Sequence, residues 1–203
     1  MKMSARFPLL APVLAAASVI ALPAIAHAHP GGPHVHGLTD GFVHPLTGLD
    51  HLLAMVAVGL IGARLGGRAL WLLPTSFVVT MLVGAGLALD GLELPMVETA
   101  IALSLVVFGG LLAANLRAPD LMMAAGVAIF ALFHGFAHGT EAPSTASGLT
   151  YMAGFVLATA LLHGTGILAA MLAGRGHGKA GDVVMRGYGI AIAATGLVLV
   201  TAN

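Results

Sequence analysis

Six apolar stretches, each close to the length that crosses a bilayer, set the limits on how this chain can fold. They run roughly over 43–63, 69–89, 95–115, 120–138, 148–173 and 184–202. A hydrocarbon core about 30 Å thick takes about 20 helical residues, and a helix satisfies its own backbone groups where no water can. The breaks between the stretches hold the turn formers and most of the charges, among them Arg64-Leu65-Gly66-Gly67-Arg68, Asp90-Gly91 with Pro95, Arg117 with Pro119 and Asp120, Gly139 to Ser147, and Gly174 to Asp182. With 59% hydrophobic and 8% charged residues, against about 25% charged in soluble domains, the chain cannot cover a water-facing surface. A soluble enzyme and a nucleic-acid binder are therefore both excluded. Eight basic residues balance eight acidic ones, so nothing draws a polyanionic partner. The absence of cysteine removes disulfides, thiolate catalysis and zinc–thiolate sites. Without a period of 20–50 residues to suggest a repeat array, the expected fold is all-α: one polytopic membrane bundle of six transmembrane helices over 43–203.

Lys2 and Arg6 precede an apolar run that ends in Ala26-His27-Ala28. A basic start, a short apolar core and an A-x-A site make a cleavable N-terminal signal peptide over 1–28, and Pro8, Pro12 and Pro23 argue against a lasting helix there. An uncleaved first span is the alternative. Residues 29–42 then form a His-rich segment outside the membrane. With that end outside, the inner loops carry Arg64, Arg68, Arg117, Arg175, Lys179 and Arg186, and the leader adds Lys2 and Arg6. Every basic residue lies inside, while Asp90, Glu93 and Glu141 lie outside, which is the positive-inside pattern. The expected location is a bacterial inner membrane, multi-pass, with the mature N-terminus periplasmic.

Ten histidines exceed the eight lysines and arginines, and ionisable groups at membrane depth are costly enough to mark function. The first stretch opens His44-Pro45-Leu46-Thr47-Gly48-Leu49-Asp50-His51. On one continuous helix, His44 and His51 stack two turns apart on one face, with Asp50 about 100° from His51, and Pro45 suits a helix start. The bland reading makes His44 interfacial and Asp50 a packing contact. The fourth stretch ends Phe133-His134-Gly135-Phe136-Ala137-His138-Gly139-Thr140-Glu141. There His134 and His138 stand at i, i+4 and Glu141 three residues on, so two imidazoles and a carboxylate can converge on one cation; the alternative is a pair of interfacial histidines beside a solvated glutamate. Both groups lie at the outer ends of their helices.

His163 lies deeper, followed by Gly164-Thr165-Gly166, and is equally a relay or a buried histidine bonded to a carbonyl. His29, His34, His36 and Asp40 make either a weak metal-capture strip or a solvated linker. His177 reads as solvated, and Met55, Met81 and Met152 as packing rather than soft ligands. Glu98 is left open between an interfacial position and the same vestibule.

Imidazole and carboxylate donors suit nickel, cobalt, zinc or copper(II), while the lack of thiolates disfavours copper(I). A permeation path needs sites weak enough to release their ion, so a ladder of few-ligand sites fits a divalent-metal permease with no prosthetic cofactor. The competing readings are an intramembrane zinc-dependent hydrolase using the same His/Asp cluster and a metal sensor without transport. Without a G-x-x-x-x-G-K-[ST] motif, transport is secondary or facilitated unless a separate ATPase subunit supplies energy. The partners expected are the metal ion and the lipid bilayer, with no nucleic acid; a homo-oligomer and a metallochaperone are both compatible with such a chain.

The stretches HPLTGLDH at 44–51 and FHGFAHGTE at 133–141 resemble the two signature motifs of the HupE/UreJ family, with no departure in either. The leader, the His-rich start and the six helices are similar too, so the resemblance covers essentially the whole chain. It implies an inner-membrane permease that imports nickel or cobalt for hydrogenase or urease maturation. By matching positions it places His44, Asp50, His51, His134, His138 and Glu141 in the metal path. His29, His36 and His163 lie outside the motifs.

Overall fold

A computed structural model of the chain describes residues 37–142, 147–174 and 179–202. The regular structure among them is helical: α1 (Gly37–Thr47), α2 (Leu49–Leu65), α3 (Ala69–Leu89), α4 (Val97–Ala114), α5 (Asp120–Glu141), α6 (Ser147–Gly174) and α7 (Lys179–Ala202). Helices α3 to α7 are each long and apolar enough to cross a membrane, and α1 with α2, bent by 82° at their junction, makes a sixth when the pair is counted as one broken span. The protein is a multi-pass membrane protein. The signal peptide expected over 1–28, and His29, His34, His36 and His177, lie outside the described residues.

The bend corrects the reading of the first stretch as one straight helix from residue 43. Helix already begins at Gly37, so the outer segment expected over 29–42 is partly helical, and Pro45 falls in the last turn of α1 rather than at a helix start. Proline has no N–H to give to the Gly41 carbonyl, which weakens that turn. Gly48 then takes an extended conformation (φ −83°, ψ 113°) before α2 starts. His44 and His51 thus sit on two helices either side of a corner, not stacked on one face. The last helix also begins earlier than expected, at Lys179, and Arg64 lies in the last turn of α2 rather than in a loop.

Lipid is as apolar as a leucine side chain, so helices associate there by close packing, and small residues allow it. At Gly84 an added Cβ would strike the Leu132 carbonyl, and at Gly135 that of Met81, so α3 and α5 meet backbone to backbone. Gly59 and Gly166 join α2 to α6 in the same way, and Gly41 and Gly154 join α1 to α6. Gly109 and Gly189 pair α4 with α7. Helix α2 is the central element, with Ala54, Met55, Ala57, Val58 and Leu60 out of contact with the surroundings. Outward, Leu121, Ile129 and Leu149 are exposed, the inversion of a soluble surface that a lipid solvent requires. Met55, Met81 and Met152 are buried in the core, as their packing role requires.

The charged residues separate to two ends. At one, Arg64 pairs with Asp182 (3.3 Å) and Arg68 with Asp120 (3.6 Å). The histidine–carboxylate groups gather at the other.

Candidate metal centre

The corner at Gly48 and the backbone contact of α3 with α5 decide what meets at that end. Gly135 and Gly139 sit against Met81 and Ala85 of α3, and the histidines that flank them are turned into the bundle, where His134 and His138 are fully buried. Gly154 seats α1 on α6 and carries His44 over the end of α5. The two sequence motifs therefore come together in space.

His44 Nε2 lies 2.9 Å from Glu141 Oε2, and His138 Nδ1 lies 3.4 Å from the same oxygen. One ligand atom each from His44, His138 and Glu141 falls within 4.8 Å of the others. The rings continue inward: His44 is 4.8 Å from His138, His138 is 4.3 Å from His51, and His51 is 5.1 Å from His134, centroid to centroid. Glu141 and His44 at the outer end are half-exposed, whereas His138 and His134 are at zero and His51 is at 8%. The row starts at the surface and runs into the protein.

Hydrogen bonding fixes which nitrogens are free. His51 Nδ1 lies 2.8 Å from Asp50 Oδ1, which also accepts from the His51 backbone N–H at 2.8 Å. A carboxylate only accepts, so Nδ1 carries the proton and Nε2 keeps its lone pair in the neutral ring. The same holds for His134, whose Nδ1 donates to the Phe130 carbonyl at 3.0 Å. Both Nε2 atoms are buried with no hydrogen-bond partner, as is Nε2 of His138. Buried polar atoms are nearly always satisfied, and an unpaired imidazole lone pair is a metal donor in waiting. Asp50 is placed to orient and polarise His51, as carboxylates do behind metal-bound histidines. Glu98, exposed at the start of α4, is within electrostatic reach of Asp50, His51 and Glu141.

His163 does not join this group directly. It is buried on α6 with both nitrogens unpartnered, and the Phe77 ring stands between it and the row, 5.4 Å from His134 and 5.1 Å from His163. The alternative of a carbonyl-bonded histidine does not hold for His163. Three aromatic residues of the site carry no signature in the sequence. Phe155 lies 3.9 Å from His138, Tyr151 lies 6.2 Å from His44 with its hydroxyl buried and unpartnered, and Phe77 is wholly enclosed.

The family model described as HupE / UreJ protein matches residues 15–199. Protein HupE of Rhizobium leguminosarum bv. viciae is 47% identical over 182 residues, covering 90% of this chain and 93% of that protein. No solved structure matches.

Proposed function

Since the chain belongs to the HupE/UreJ family, we propose that it is a permease that carries divalent nickel or cobalt from the periplasm across the inner membrane to the cytoplasm. The metal is its cargo, destined for maturation of a hydrogenase or urease. One observation carries this reading: a row of imidazoles leads from a half-exposed carboxylate into the bundle, and the buried Nε2 atoms of His138, His51 and His134 have no hydrogen-bond partner. In this reading Glu141, His44 and His138 take the cation as its water leaves. His51 and His134 receive it through Nε2, with Asp50 holding His51 in the required tautomer. His163 accepts it beyond Phe77, and His29 and His36 feed the outer end. Few-ligand sites in series give affinity without a trap, which a permeation path requires. Borderline nitrogen donors with one carboxylate suit nickel and cobalt. The basic end of the bundle, with Arg64, Arg68 and Arg117, faces the cytoplasm under the positive-inside rule.

The test is flux. Protein reconstituted in vesicles with a metal-sensitive dye inside should admit nickel down its gradient, and His51→Ala or His138→Ala should abolish entry while the protein remains folded. Bound metal without flux, together with turnover of a lipid substrate, would replace transport by zinc-dependent hydrolysis.

A further inference from the structure

At the end of the bundle away from the histidines, a cavity of about 430 Å³ opens between α2, α6 and α7, bordered by Arg64, Arg117, Ala170, Gly174, Asp182 and Met185. On α6, Ala170 and Gly174 stand seven and eleven residues beyond His163, which puts all three on one helix face. The face that carries the deepest histidine thus leads into this cavity. Arg64 stands at its wall with only 11% of its side chain exposed, whereas its partner Asp182 is 64% exposed. The guanidinium is held twice: Nη1 donates to the Leu112 carbonyl at 2.8 Å and Nη2 lies 3.3 Å from Asp182 Oδ1. One side chain therefore ties α2 to α4 and α7.

We propose that the Arg64–Asp182 pair is the inner gate of the cation path, an inference that rests on the permease reading above. A divalent cation descending from His163 meets a fixed positive charge while the pair is made. When Arg64 leaves for the aqueous side, the cavity loses that charge and keeps the Asp182 carboxylate on its wall, so the same movement removes a repulsive group and uncovers an attractive one. Such a pair is weak enough to break thermally, because one partner is largely in water.

The chain has no cysteine, so introduced thiols are the only ones present. The double variant Arg64→Cys/Asp182→Cys, bridged with a reducible bifunctional thiosulfonate, should bind nickel at the outer site as the unbridged protein does in equilibrium dialysis. It should lose nickel flux in vesicles and regain it on reduction. Equal flux before and after bridging would overturn the gate. A second reading uses no transport: Ala170→Cys should react with a water-soluble maleimide about fivefold faster when Asp182→Asn is added, the factor expected when an ion pair of this kind is lost. An unchanged labelling rate would overturn the gate as well. If the protein moved no nickel in any form, the permease reading would fail, and the labelling rates would still decide whether this pair closes the cavity.

Discussion

His44, near the end of α1, and Glu141, the last residue of α5, meet with Nε2 and Oε2 2.9 Å apart. Each belongs to a different sequence motif, and neither motif's spacing brings the two together. The contact exists because the chain turns by 82° at Gly48 and α1 lies against α6. The same carboxylate also reaches His138, so Glu141 joins the two motifs at the mouth of the imidazole row.

Asp50→Asn should weaken metal binding about 10- to 100-fold, the usual cost of losing a carboxylate behind a ligating histidine. The amide can present its NH₂ to His51 Nδ1, which reverses the tautomer and takes the lone pair away from Nε2. Titration of nickel into the detergent-solubilised variant, with circular dichroism to confirm its helix content, measures this. Affinity equal to wild type would remove Asp50 from the site.

Uptake should fall as the outer pH drops from 7.5 to 5.5 at constant driving force. Protons and the metal compete for the same ring nitrogens, and the protonated ring has no lone pair for a metal. The sign follows directly, since low pH converts ligands into cations. Initial rates of nickel entry with the membrane potential clamped would check it, and a flat profile would argue against direct histidine ligation.

His163→Ala should lower flux and leave the affinity of the outer site unchanged, because the Phe77 ring separates His163 from the row. Rate and binding measured on the same preparation distinguish this from a packing role, in which neither would change beyond the stability of the protein.

Gly135→Ala should cost folded protein rather than chemistry. The new methyl would overlap the Met81 carbonyl and lie 2.8 Å from its Cα, and backbone cannot yield as a side chain can. Overpacking of this kind costs about 1–3 kcal/mol. Thermal unfolding in detergent should show a lower midpoint, and an unchanged midpoint would mean that α3 and α5 separate easily.

The histidines and carboxylates of the site were legible from the chain because imidazole and carboxylate have few reasons to lie in apolar stretches, and the i, i+4 and i+3 offsets of His134, His138 and Glu141 point one way on any helix. Phe77, Phe155 and Tyr151 were not legible, since an aromatic ring in a membrane helix reads as ordinary packing until its neighbour is known. The mistake over 43–63 has a local cause. Pro45 and Gly48 each admit a helix start or a break, and the choice between them depends on whether α1 finds a surface to lie on.

Hydropathy and charge by themselves settled that the chain crosses a membrane repeatedly as helices, because continuous apolar stretches of about 20 residues fit a helix that bonds its own backbone in lipid and are about twice the length of a barrel strand. They also separated the basic residues from the histidine motifs, and the motifs named the family. Tertiary structure alone decided that His44 meets Glu141, that Asp50 and the Phe130 carbonyl fix two histidine tautomers, that Phe77 divides the deep histidine from the rest, and that Arg64 closes on Asp182. Each of these depends on contacts between helices remote in sequence. Such contacts are set by which glycines allow two backbones to touch, and a one-dimensional pattern does not contain that information.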